Sequence, residues 1–271
     1  MYSGSTINTK SGRIMGVHQK IDRVARRHLA RQTSLPGTFP SIREILHFEG
    51  MNGPDGIKRK RPGKDEPWHF IDPSTRLSDS ELGTLIHDHR ANLATALRNH
   101  ERERAAFEAA WLAHAITDGL TPAHHYPLEE KLSQLRGEGL ESRDSKRKKL
   151  VIPGTTRRQL VRNNWEFWGA KGVMTTHIHF EFGVAAAIAT MRFDTLSFSK
   201  ELVSQLRSEG FDTLFDESLR RISAMEMYEE FAAKGWTRHL ARETKDILVP
   251  EIIRVVMLGW LSAVLASEEA E

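Results

Sequence analysis

His114 and Asp118 lie four residues apart in a segment of helical period, and His177 and Glu181 repeat the arrangement. Phe107, Trp111, His114 and Asp118 follow i, i+4, i+7 and i+11, so they share one face of a helix. His177 and Glu181 likewise head a stripe continued by Val184, Ile188 and Met191. Both pairs therefore interrupt surfaces that ought to face a core. A carboxylate turned inward must be paired or bound to a cation, because desolvating a lone charge costs several kcal/mol. Two side chains on one face can also grip a single ion together. His18 is a third polar intruder, on the stripe formed with Ile14, Ile21 and Ala25.

The rest of the chain reads as helical too. A first helix is expected from about Arg13 to Ala30, and the Gly/Pro-dense stretch from Gly50 to Pro73 is expected to be loop. Ser78 followed by Glu81 has the capping-box spacing for a helix toward Asn99, with another from about Glu101 to Thr117. Further helices are expected over His177–Arg192, Ser199–Glu209, Asp212–Lys234 and Thr237–Ser267, the last broken or kinked at Pro250. Period-2 alternation and internal repeats are missing, so the expected class is all-α. Between Lys131 and Arg162 ten basic residues stand against three acidic, which suggests a long insertion or mobile lobe. The domain reading is a flexible tail over residues 1–13 and one helical domain over 14–271, with a basic insertion at about 129–176.

Composition narrows the chemistry. With 271 residues, 39 Lys and Arg against 36 Asp and Glu, and 39% hydrophobic residues, the chain can bury a large core. Cysteine is absent, which removes disulfides and thiolate metal sites. Any metal must be held by His, Asp and Glu. The first residues lack the apolar run of a secretory signal, and Val255–Leu265 is about half the ~20 residues of a bilayer span. A buried or interfacial C-terminal helix and a cytoplasmic location are the expectations.

Beyond the two pairs stand His124, just past a Gly and a Pro, the loop Gly53-Pro54-Asp55-Gly56, and Trp68-His69-Phe70-Ile71-Asp72. Taken in order, His18, Asp55, His69, His114-x-x-x-Asp118-x-x-x-Pro122-x-His124 and His177-x-x-x-Glu181 resemble the zinc-dependent phospholipase C family, whose fold is shared with fungal single-strand-specific nucleases. The resemblance runs from His18 to Glu181. It implies a multi-helix bundle around a buried metal cluster, with one zinc on Asp55, His69, His114 and Asp118 and a second on His124, His177 and Glu181. The family's third zinc uses an N-terminal Trp amine and carbonyl with the first-helix His. Here no Trp precedes Trp68 and 17 residues precede His18, so the resemblance carries two zincs in full and a third only through His18. The stretch between His124 and His177 is also long for the family.

The implied activity is phosphoester hydrolysis, by a phospholipase C-like phosphodiesterase or a nuclease of the same fold, with Asp55 both a ligand and the group that orients or deprotonates the attacking water. Two divalent cations supply this chemistry without a side-chain nucleophile. A non-catalytic, zinc-stabilised binding protein is the rival of another class. Phospholipid or another phosphodiester is the expected substrate. The basic runs Lys58–Arg61 and Lys146–Lys149 offer charge to an anionic membrane surface or to single-stranded nucleic acid. Core packing is expected for Trp111, and a pocket or interface role for Trp165 and Trp168. His125 and His179 break the ligand spacing, while His87 and His89 are expected to face solvent.

Overall fold

The computed structural model describes residues 1, 16–60, 69–139, 142, 145–196 and 199–269. No strand occurs among them. The chain is all-α. In order the helices are α1 (Val17–Gln32), α2 (Ile42–His47), α3 (Pro54–Lys60), α4 (Glu81–Arg98), α5 (Arg102–Gly119), α6 (Leu128–Arg136) and α7 (Lys146–Leu150). They continue with α8 (Arg157–Trp168), α9 (Val173–Ile188), α10 (Lys200–Glu209), α11 (Phe211–Ser223), α12 (Met227–Lys234), α13 (Arg238–Glu243) and α14 (Val249–Glu268).

The core is built around α5. Ala105, Ala106, Ala109, Ala110 and Ala113 are all buried, and their small side chains let neighbours approach closely from several sides. A helix sheathed in apolar residues belongs inside. α4 packs beside it, and α14 packs against α1, α4 and α5. The buried Trp260 indole on α14 donates to the Ala109 carbonyl of α5 at 2.9 Å. α1 is tied to the end of α9 and the segment after it by Lys20 on the Ile188 and Ala189 carbonyls and by His28 on the Phe193 carbonyl at 2.7 Å.

Several local expectations need correction. Within the supposed loop Gly50–Pro73, α3 forms, because Pro54 opens it with its fixed φ and Asp55 sits in the first turn where the helix dipole favours an acid. The cap of α4 is Ser80, not Ser78: its hydroxyl accepts the Gly83 N–H at 2.9 Å, and Ser78 lies in the 3-10 turn before it. The single helix expected over Asp212–Lys234 is two, parted at Glu226, whose φ is +48°. α13 and α14 run on as one 31-residue helical stretch, Arg238–Glu268. Its irregularity is a π-helical turn, Thr244–Leu248, just ahead of Pro250, which has no N–H to give to the preceding turn. That stretch is long and apolar enough to cross a bilayer, but most of it is buried in this fold as the core helix. The basic region carries α6, α7 and α8, whose described residues enclose a small core of their own from Leu132, Ile152 and Phe167.

Candidate metal centre

Six parts of the chain deliver the candidate ligands. α5 carries His114 and Asp118 one turn apart, α9 carries His177 and Glu181, and α1 brings in His18. The 3-10 turn Pro122–His124, opened by its proline, folds His124 back over the end of α5. An extended segment then seats His69: the Ile71 N–H donates to the His124 carbonyl at 3.2 Å, and His124 Nδ1 donates to the His69 carbonyl at 2.8 Å. Asp55 comes from the first turn of α3.

These side chains converge. His69, His114 and Asp118 place ligand atoms within 4.8 Å of one another, and so do His124, His177 and Glu181. Asp55 falls with His18 and His114 in a third such group, not directly with His69. Asp118 lies at the centre, with Oδ2 on His69 Nδ1 and 3.2 Å from His114 Nε2, and Oδ1 3.3 Å from His18 Nε2 and 3.7 Å from His124 Nδ1. Glu181 Oε1 lies 3.1 Å from His124 Nε2 and 3.2 Å from His177 Nε2. His18 stacks on His114, and His124 stacks on His177.

Met1 enters the same cluster. Its amine lies 2.6 Å from Asp118 Oδ1 and 3.4 Å from Glu181 Oε1, and its carbonyl accepts from His18 Nε2 at 2.8 Å. Burial alone would lower that amine, but Asp118 and Glu181 outweigh it and push it up to about 10. Burial works to raise Asp118 and Glu181, and the Met1 ammonium with the surrounding imidazoles holds both well below the usual carboxylate range. Burial likewise brings His124 down to about 4. At neutral pH the two acids are therefore anionic and His124 is neutral, the forms a cation needs. Burial of His114, by contrast, is outweighed by Glu49 and Asp118, which raise its imidazole well above the ordinary value, so a cation there would have to displace its proton.

The donor set fits divalent cations. His114 Nε2 is buried and, although near Asp118, makes no hydrogen bond, while its Nδ1 faces Glu49 Oε1 at 3.1 Å. An imidazole held by a carboxylate through one nitrogen presents the other as a lone pair, the arrangement that orients metal-bound histidines. His124 is held in the same way through the His69 carbonyl, leaving Nε2 toward Glu181. Nitrogen and oxygen donors without sulfur suit zinc and its neighbours in the series.

Glu49 and Asp22 are buried members of this site that the spacing analysis did not single out. Glu49 has no local signature, but Asp22 stands four residues after His18 and so repeats the pattern of the other two pairs. Burial, aided by the charge of Glu49, raises the Asp22 carboxyl well above its ordinary value. The readings of His87 and His89 are corrected. His87 Nε2 pairs with Asp212 at 2.9 Å, and His89 Nδ1 pairs at 2.6 Å with Glu108, which is fully buried. They diverge as i, i+2 spacing requires, yet each finds an acid on another helix. His125 donates through Nε2 to the Gly119 carbonyl at 2.9 Å, and His179 is exposed. Trp111 is partly buried against Phe107 and His89. Trp68, Arg61 and the side chains of Lys58–Lys60 lie outside the described residues, as do residues 2–15 of the expected tail and Lys146's side chain.

No family model matches the sequence, and no curated protein does. Among solved structures, Clostridium perfringens alpha-toxin, from an avian strain, superimposes with a TM-score of 0.60 at 12% identity over 97% of this chain. The chain shares its fold with alpha-toxin. It spans 66% of the toxin chain's length. At that identity the likeness to alpha-toxin establishes the all-α fold, and the ligand geometry stands on this chain's own residues.

Proposed function

We propose that this protein is a metal-dependent phosphoester hydrolase of the phospholipase C type. The observation that carries the reading is the convergence of His69, His114 and Asp118, and of His124, His177 and Glu181, into adjoining groups inside the fold shared with alpha-toxin. Residues up to 112 positions apart in sequence come together there, which surface pairing does not explain.

Zinc is the ion the resemblance implies. Two such ions, when bound, supply the Lewis acidity that brings a water's pKa toward about 7 and accept the charge of phosphoryl oxygens. The chain's own part is to hold and to tune. The ligand acids Asp55, Asp118 and Glu181, with Glu49 behind His114, offset most of the charge of two dications, so an anionic phosphate would meet the cations without a large excess of protein charge against it. Glu49 and the His69 carbonyl lock His114 and His124 in ligand-ready tautomers. Asp55 is partly exposed at the edge of the cluster, where it takes the role of orienting or deprotonating the attacking water. The Met1 carbonyl, with His18, Asp118 and the Met1 amine once it has lost its proton, would offer donors for a third cation.

Elemental analysis of the protein beginning at Met1, run beside turnover of bis(p-nitrophenyl) phosphate, tests the reading. Two or three zinc per chain with turnover abolished by chelation is the expected result. Bound zinc without turnover would assign the cluster to stability or docking. Asp55→Asn that keeps both full metal content and full rate would remove Asp55 from the reaction. Phosphatidylcholine vesicles set against single-stranded DNA decide the substrate class, and the resemblance favours the lipid.

A further inference from the structure

Seven large apolar side chains are exposed among the described residues, and six of them fall in one stretch: Leu150, Val151, Leu160, Val161, Trp165 and Trp168. Trp165 is 71% exposed and Val161 65%. On α8, Val161, Trp165 and Trp168 follow i, i+4 and i+7, so they form one outward stripe, while Asn163 and Phe167 turn the opposite face into the small core of the lobe. The Trp168 indole donates to the Leu150 carbonyl at 2.7 Å, which joins the end of α7 to that stripe. Exposed Arg157 and Arg158 flank the stripe on its two sides and Arg162 continues the basic edge. The small core that includes Phe167 packs against Val173 and Met174 in the first turn of α9, one turn before His177. The patch is thus borne by a lobe braced on the helix that carries two of the candidate ligands.

We infer that the α7–α8 face docks this protein on an anionic lipid bilayer, with the apolar stripe entering the interface and the arginines meeting acidic head groups. Large aliphatic and tryptophan side chains beside cationic ones are the composition of helices that lie in that layer. Four of the six apolar residues are aliphatic, which gives bases nothing to stack on and so disfavours a nucleic-acid groove. A two-fold contact with a second copy would set the same arginines opposite one another. An apolar cluster this exposed marks an interaction surface. The inference stands apart from the hydrolase reading, since docking requires no turnover.

The test is co-sedimentation of the full chain with vesicles of equal parts phosphatidylglycerol and phosphatidylcholine, and with phosphatidylcholine alone. Strong partition to the anionic vesicles, weakened by salt and reduced on the order of tenfold or more by Trp165→Ser, is the expected result. Trp165 emission should shift to the blue on binding, a change absent from the variant. Because Trp165 is exposed, Trp165→Ser should keep the thermal midpoint and any turnover of soluble bis(p-nitrophenyl) phosphate. Partition that Trp165→Ser and Val161→Ser leave unchanged overturns the proposal, as does failure to bind either vesicle. So does a labelled single-stranded oligonucleotide, or a dimer in analytical ultracentrifugation, that Trp165→Ser abolishes while vesicles remain unbound. Loss of hydrolysis with vesicle binding intact would sink the enzyme reading and leave this one standing.

Discussion

Glu49 is where a single side chain decides how another behaves. It faces His114 Nδ1 from inside the core, and no solvent competes for that contact. Glu49→Gln should lower zinc affinity by roughly 10- to 100-fold, read by competition with a chelating dye, while turnover at saturating zinc recovers. A merely structural role would lower the thermal midpoint without that split. His125 supplies a pH dependence. Burial holds it down at about 4 against an ordinary 6.5, with the Gly119 carbonyl pulling the other way. Between those values the unfolded chain binds the extra proton and the folded chain does not, so stability is intact above about 6.5 and falls as pH drops toward about 4. The loss attributable to His125 amounts to about 3 kcal/mol. Urea midpoints followed from about pH 7 to about pH 4.5 should show a shallower decline in His125→Gln than in the parent. Legibility at this scale follows periodicity. His114, Asp118, His177 and Glu181 could be read because each pair occupies one helical face, and Glu49 could not because its partner lies 65 residues away with no local pattern to announce it.

Helices meet this site through close approaches that a substitution can probe. Gly183 sits within α9 between Glu181 and Val184, where an added Cβ would fall 1.6 Å from the Trp236 indole nitrogen. That indole stacks on Phe180 and donates to the His179 carbonyl at 3.2 Å, so it is held from two sides and has little room to yield. Gly183→Ala should cost about 1–3 kcal/mol of stability and lower turnover, since α9 must move and Glu181 moves with it. Calorimetry and a phosphodiester assay on the same preparation check both effects. Sequence pattern located most helices to within a turn or so, but missed what lies in their ends. α3 was hidden by the surrounding Gly and Pro density, although Pro54 and Asp55 are themselves start signals. Ser78 matched the capping spacing, yet Ser80 lies next to the first helical residue and takes the bond. The division between α11 and α12 depends on the left-handed backbone at Glu226, a conformation that glutamate rarely adopts and that no residue preference foretells.

Across the whole molecule the candidate cations would cross-link α1, α3, α5 and α9. Removing them should therefore unsettle the entire fold rather than one loop. A site occupied at a hundredfold of its Kd adds about 2.7 kcal/mol, so chelation should lower the thermal midpoint by about 5 °C for each ion lost. Acid should do the same, because imidazoles bind cations only when neutral, and metal release should track falling pH below about 6. The general architecture was readable because helical period and a cation-ready cluster leave few alternatives. The lobe was readable only as a run of charge, since its small core of Leu132, Ile152 and Phe167 is assembled from three separate turns of chain.

The helix that closes α1, α4 and α5 into one core is α14, which follows every other element in the described chain. During synthesis those three helices leave the ribosome with their apolar sides uncovered and must wait for it. Until α14 emerges they are clients for chaperones, and a chain stopped at Leu248 would expose the groove that Trp260 fills and should be recovered as aggregate or be degraded.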